Sequence, residues 1–183
     1  MKKILYIDMD GVLVDFRSSF DHVSEALLEE YEGREDDIPG IFRHMAPMPG
    51  AIEAYRALAK IYDTYILSTA PWANPTAWSD KAVWVRQHLG PDPGDPPYKR
   101  LILAHHKDLF RGHYLVDDRL KRGAAEFQGK LLLFGSPEYP DWPAVVEYLT
   151  AVHEEECRWA AAEAKRAPAA KTAGPAPDDH APG

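Results

Sequence analysis

The chain has 183 residues, 45% of them hydrophobic and 27% charged, enough for one domain that hides roughly 70% of its unfolded surface on folding. With 29 acidic residues against 21 basic ones the net charge is −8, which argues against a nucleic-acid polymer as partner, because such partners demand a stripe of Lys and Arg. The single cysteine, Cys157, excludes an intramolecular disulfide and a cysteine zinc site, and no apolar run approaches the roughly 20 residues of a membrane span, so a cytoplasmic protein is expected.

Along the chain, residues 3–7 form a short apolar run that ends in Asp8-Met9-Asp10-Gly11, the pattern of a buried strand feeding a sharp turn. Residues 16–48 are largely polar with a helical pattern, broken at Asp36-Asp37-Ile38-Pro39-Gly40, and read as a small insertion outside the central sheet. Pro49-Gly50 opens a helix through Ala59 with Ile52, Tyr55, Leu58 and Ala59 on one face. A strand over residues 63–69 follows, then a helix over 78–89 stopped by Gly90-Pro91, and strands over 101–104, 114–116 and 131–134. The last helix starts near Asp141-Trp142-Pro143 and can extend to Arg166; Trp78, Trp84 and Trp142 fit packing faces, and Trp159 a surface position. Beyond it Pro168, Pro175, Pro177 and Pro182 forbid a continuous helix, and disorder is expected.

This alternation predicts an α/β fold, a mostly parallel sheet with helices on both faces, in which ligands bind outside the carboxyl ends of the strands. Asp8 and Asp10, Ser68 and Thr69, and Asp117 and Asp118 all fall at predicted strand ends, and Lys107 lies just past a fourth. Four carboxylates gathered at one sheet edge need a counter-ion or bound protons, and a hard divalent cation such as Mg²⁺ suits an oxygen-rich setting. Lys107, Thr69 and nearby amides then offer a seat for a phosphate. A carboxylate there can serve as nucleophile, and its neighbour can protonate a leaving oxygen and later deprotonate water. Each motif alone has a plainer reading, a solvated loop, a helix cap or a surface lysine; the order in which they occur, each after an apolar strand, is what favours chemistry. His105 and His106 receive no role, since adjacent loop histidines point apart.

Asp8-Met9-Asp10-Gly11-Val12, Thr69, Lys107 and Asp117-Asp118 resemble the four motifs of the haloacid dehalogenase-like superfamily over residues 1–150. More narrowly the chain is similar to the 5'(3')-deoxyribonucleotidases, through Asp8-Met9-Asp10-Gly11-Val12-Leu13-Val14-Asp15-Phe16, Ile66-Leu67-Ser68-Thr69-Ala70-Pro71, Lys81-Ala82-Val83-Trp84-Val85 and Leu115-Val116-Asp117-Asp118-Arg119. The resemblance implies a Rossmann-like core (residues 1–15 and 49–150), a helical cap over residues 16–48 and an appended segment, 151–183. It implies Asp8 as nucleophile and Mg²⁺ ligand, Asp10 as acid/base whose carbonyl also binds metal, and Asp117 and Asp118 completing the metal site. Thr69, Lys107 and Lys81 would hold phosphate, with the link from Thr69 to Lys81 one residue short of the family's. Phe16 and Phe42 would stack on a base, with Trp72 and Arg43 as further substrate contacts. The implied activity is Mg²⁺-dependent hydrolysis of nucleoside monophosphates through an aspartyl-phosphate. Two alternatives stand beside it, another small phosphomonoester such as a sugar phosphate, and a non-catalytic phosphate binder. Family members can be homodimers, although no exposed apolar stripe demands a second copy.

Overall fold

The computed structural model describes residues 2–166. Five strands form one parallel sheet: β1 (Ile4–Ile7) at its centre, β4 (Asp63–Ser68) and then β5 (Leu101–Leu103) on one side, β6 (Tyr114–Asp117) and then β7 (Lys130–Leu133) on the other. A further pair, β2 (Val14–Asp15) and β3 (Ala46–Pro47), is antiparallel and stands apart. The inner strands are buried on both faces, as continuous apolar runs such as Ile4-Leu5-Tyr6-Ile7 require in a parallel sheet. Register sets the active edge: Ile7 lies level with Ile66 on one side and Val116 on the other. Asp8 and Asp117, each one residue further on, therefore leave the sheet side by side, and the Asp8 amide still donates to the Val116 carbonyl at 2.9 Å.

The helices depart from expectation. α2 (Ala51–Ile61), α3 (Thr76–Leu89) and α4 (Trp142–Arg166) all pack in the one cluster that holds Leu5, Ile7, Ile66, Val116 and Leu132. The opposite face, with Tyr6, Leu67 and Leu115, is closed by Phe110, Ala124 and Phe127 from loops. The connections leaving β5 and β6 carry no α-helix among the described residues, so aromatic side chains do there what a helix does opposite. On α2 the buried face runs through Ala51, Ala54, Tyr55 and Leu58, with Ile52 and Ala59 at its margin. α3 begins at Thr76, two residues before the expected start, because the Asn74 side chain accepts from the Thr76 amide and hydroxyl and fixes the first turn.

Residues 16–48 hold one short α-helix, α1 (Glu25–Glu30), among three 3₁₀ turns. The helical pattern is thus realised in pieces, since Gly33 and Gly40 both sit at positive φ and break it. The β2–β3 pair is the stem from which this insertion leaves and to which it returns. Trp84 and Trp142 are fully buried, and Trp159 is exposed. Trp78 is not on a packing face: 42% of it is exposed, and its ring lies 6.5 Å from that of His105. No described helix is long and apolar enough to cross a membrane. The proline-rich segment beyond Arg166 lies outside the described residues.

Trp142 ties the last helix to the loop after β1, donating from Nε1 to the Val12 carbonyl at 2.9 Å. Trp142→Phe keeps most of the packing but strands that buried carbonyl, and urea unfolding is expected to show a loss of about 1–3 kcal/mol.

Candidate active site

The loop after β1 is wound around one carbonyl. Met9 accepts from the amides of Leu13 and Val14 at 2.9 and 3.0 Å, and Gly11 donates back to the Val14 carbonyl at 2.9 Å. Gly11 has φ +75°, and a Cβ there would fall 2.4 Å from Asp118 Oδ2, so both the turn and the approach of the β6 loop exclude a side chain. Asp8 emerges beneath this turn and is 8% exposed. Its Oδ1 lies 3.0 Å from Lys107 Nζ, which also bonds Asp117 Oδ2. One buried ammonium thus bridges the ends of the two central strands.

Asp8, Asp117 and Asp118 each offer a carboxylate oxygen within 4.8 Å of the other two. Asp117 Oδ1 is held by the Arg119 amide at 3.0 Å, Asp118 Oδ2 by Arg119 Nε at 3.1 Å, and Asp118 Oδ1 is buried with no hydrogen-bond partner. Burial, and then the charge of Asp8, push the Asp117 carboxyl up to about 6 against the pull of Lys107. Burial raises Asp118 too, with Arg119 opposing. For Lys107 burial acts to lower the pKa, yet the Asp8 and Asp117 charges outweigh it and the ammonium is held above its ordinary value. Three crowded carboxylates sharing few cations, one oxygen left over, are a donor set that fits a hard divalent ion.

Asp10 points elsewhere. Its Oδ2 receives a hydrogen bond from Lys81 Nζ at 2.5 Å, and that ammonium, fully buried, also donates to Ser68 Oγ at 2.9 Å and the Thr69 carbonyl at 2.7 Å. Burial pushes the Asp10 carboxyl upward; Lys81 opposes this and Asp8 adds to it. Lys81 is therefore a strut between the β1 and β4 loops with all three protons engaged. The Thr69 hydroxyl donates to the Ala104 carbonyl at 2.9 Å.

A cavity of about 730 Å³ opens above these groups, lined among others by Asp8, Asp10, Thr69, Lys107, Phe16 and Phe42. Phe16 and Phe42 face each other with ring centroids 5.4 Å apart, and Phe42 lies 4.8 Å from Lys81 Nζ. Three expected substrate contacts sit outside this lining, the first being Lys81, whose ammonium is spent on Asp10, Ser68 and the Thr69 carbonyl. Trp72 is 85% exposed beside His105, and Arg43 is turned onto the buried Asp80, Nη2 to Oδ1 at 3.1 Å. The insertion is fastened over the cavity by Asn74, whose side chain donates to the Asp36 and Ile38 carbonyls at 2.9 and 2.8 Å. Thr76 Oγ1 and Met45 O complete the fastening, accepting from the Gly40 amide and from Trp84 Nε1.

Residues 36–141, more than half of the chain, match the family profile described as 5' nucleotidase, deoxy (pyrimidine), cytosolic type C. A Vibrio phage KVP40 protein, provisionally named a 5'(3')-deoxyribonucleotidase, is 57% identical over 150 residues, 82% of this chain and 86% of its own length. The chain belongs to the 5'(3')-deoxyribonucleotidase family. Proteins with the same provisional name from Bordetella pertussis and Staphylococcus aureus are 32% and 31% identical, each across 73% of this chain and 84% and 82% of their own. Membership makes the chain a phosphoric monoester hydrolase.

The cavity is also lined by Glu35 and Asp36 from the insertion and Lys121 and Arg122 from the β6 loop, which spacing did not single out, and by His105 and His106 from the β5 loop, to which no role was given. His105 carries a signal of a kind visible only in three dimensions, a buried Nε2 with no partner among the described residues. Lys81→Met leaves Asp10, Ser68 and the Thr69 carbonyl without their cation. Chemical denaturation of this variant is expected to show a loss of about 3–5 kcal/mol, the usual cost of breaking a buried pair from one side.

Proposed function

We propose that the protein hydrolyses nucleoside monophosphates, deoxyribonucleotides above all, to nucleoside and phosphate. The observation that carries the reading is the Asp8 carboxylate, pinned by Lys107 at the floor of a cavity whose walls hold Phe16 and Phe42. Asp8 is the nucleophile: one of its oxygens bonds to phosphorus as the bond to the leaving oxygen breaks, giving an aspartyl-phosphate. Asp10, whose carboxyl is held above its ordinary value, gives its proton to the leaving oxygen and then takes one from the water that releases phosphate from Asp8. Lys81 keeps that carboxyl at the rim of the site, and Lys107 meets the phosphoryl oxygens as charge grows on them. Asp8, Asp117 and Asp118, with the Asp10 carbonyl that the family motif implies, would hold Mg²⁺, which supplies neutralisation of the carboxylates and of the transferring group. Phe16, backed by the buried Phe42, offers the ring face on which the base would stack. A chain with one exposed thiol suits a reducing cytoplasm.

Phosphate release is measured from deoxyribonucleoside, ribonucleoside and sugar monophosphates, with Mg²⁺ and with EDTA. Mg²⁺-dependent release favouring deoxyribonucleotides is expected; release from sugar phosphates alone overturns the substrate assignment. Asp10→Asn is expected to lower kcat by roughly 10²–10⁴ while leaving substrate binding in place, and Asp8→Asn to abolish turnover. Gly11→Ala displaces Asp118, so the rise in Tm that Mg²⁺ produces in the wild-type protein is expected to shrink in this variant.

A further inference from the structure

The cations of the cavity wall are not all accounted for by the reaction centre. Among the described residues, Lys107 is paired with Asp8 and Asp117, and Arg119 with Asp118, whereas Lys121 and Arg122 line the same cavity and form no ion pair. They are held there by main chain. Arg122 takes φ 55°, a left-handed conformation rare for a side-chain-bearing residue, and its carbonyl accepts from the Lys107 amide at 2.8 Å. The next residue, Gly123 at φ +81°, is pressed so close to Asp108 that a Cβ would fall 2.1 Å from Oδ1. The loop is thus fastened to the residue whose ammonium sits on Asp8, and a strained backbone locked by its surroundings is characteristic of ligand clamps and active sites.

The two cations do not belong to a general basic surface, because the chain carries −8 overall and the insertion's side of the cavity is lined by Glu35 and Asp36. Nor does the reacting phosphate need them, given Lys107 and the carboxylate-held ion of the proposed reaction. A cavity of about 730 Å³ has room for a nucleotide and more. We infer that Lys121 and Arg122 form a second anion subsite, which favours phosphomonoesters bearing a further phosphate, with nucleoside bisphosphates the class that fits. This rests on the nucleotidase reading of the same site. Two cations in an acidic protein are too few to hold a polymer.

The test compares a deoxynucleoside 3',5'-bisphosphate with the matching 5'-monophosphate at fixed ionic strength, in wild type, K121Q/R122Q and the charge-keeping K121R/R122K. The kcat/KM ratio of bisphosphate to monophosphate is expected to exceed one and to fall about five- to ten-fold in K121Q/R122Q, through KM, as the loss of two exposed ion pairs would give. K121R/R122K is expected to restore it. A 5'-phosphorylated dinucleotide, whose second phosphate is a singly charged diester, is expected to gain less; an equal gain overturns the assignment to bisphosphates. Hydrolysis with a ratio near one, unmoved by K121Q/R122Q, overturns the subsite and leaves the nucleotidase reading standing. Titration calorimetry on Asp10→Asn with the same two ligands and Mg²⁺ reads the subsite with turnover slowed by roughly 10²–10⁴. Tighter bisphosphate binding that K121Q/R122Q abolishes, in a protein that hydrolyses neither compound, would support the subsite and sink the reaction.

Discussion

One buried ammonium organises this molecule. Lys107 lies between carboxylates that leave the two central strands at the same level, and without it Asp8 and Asp117 would repel across a water-poor gap. Parallel pairing makes this problem unavoidable, since the register that buries Leu5, Ile7 and Val116 also brings their carboxyl-terminal neighbours together. The sheet's hydrophobic order and the site's electrostatic strain therefore have a single origin. A second ammonium, Lys81, answers the same difficulty for Asp10, two residues on in the same loop, and ties it to the end of β4. The two lysines divide the carboxylates into a set of three that stays crowded and a fourth held apart by its own cation. In the proposed reaction that division separates nucleophile from acid/base.

The insertion is fixed by polar groups inside an otherwise apolar contact. Asn74 is fully buried and spends its amide protons on two carbonyls of the insertion, while its oxygen starts α3. Such groups are costly to leave unpaired, so they specify one arrangement rather than a sliding set of near-equals. The aromatic pair Phe16 and Phe42 inherits its position from this fastening.

Strand positions were legible because buried parallel strands are short apolar runs, and the site was legible because its acids follow those runs directly: Asp8 after Ile7, Asp117 after Val116. What pattern alone could not show was direction. Lys81 is one turn into a helix whose apolar residues do not reveal that it reaches across to Asp10, and the surface-like Trp78 shares its helix with the buried Trp84. The insertion's period suggested helices, but Gly33 and Gly40 at positive φ help to break it into short pieces. Helices were expected on both faces from strand alternation; the loops with Phe110 and Phe127 carry no periodicity by which their covering role could be recognised. Lys121 and Arg122 were missed because a cavity wall is assembled from loops distant in sequence, and His105 and His106, set aside as adjacent residues pointing apart, both line it.

The stem formed by Val14–Asp15 and Ala46–Pro47 has a consequence for how such a protein changes over time. Every group to which the proposed reaction gives attack, protonation or neutralisation lies at the sheet's edge, whereas Phe16, Phe42 and the acids Glu35 and Asp36 arrive in one contiguous stretch through one narrow neck. Exchanging that stretch replaces the insertion's part of the cavity wall and leaves the groups of the proposed reaction in place. The replacement must still offer main-chain carbonyls to Asn74 and to the Trp84 indole, a demand on backbone shape and not on side-chain identity. Under the proposed reading, the insertion's share of selectivity is a transplantable part, and chemistry the fixed socket that receives it.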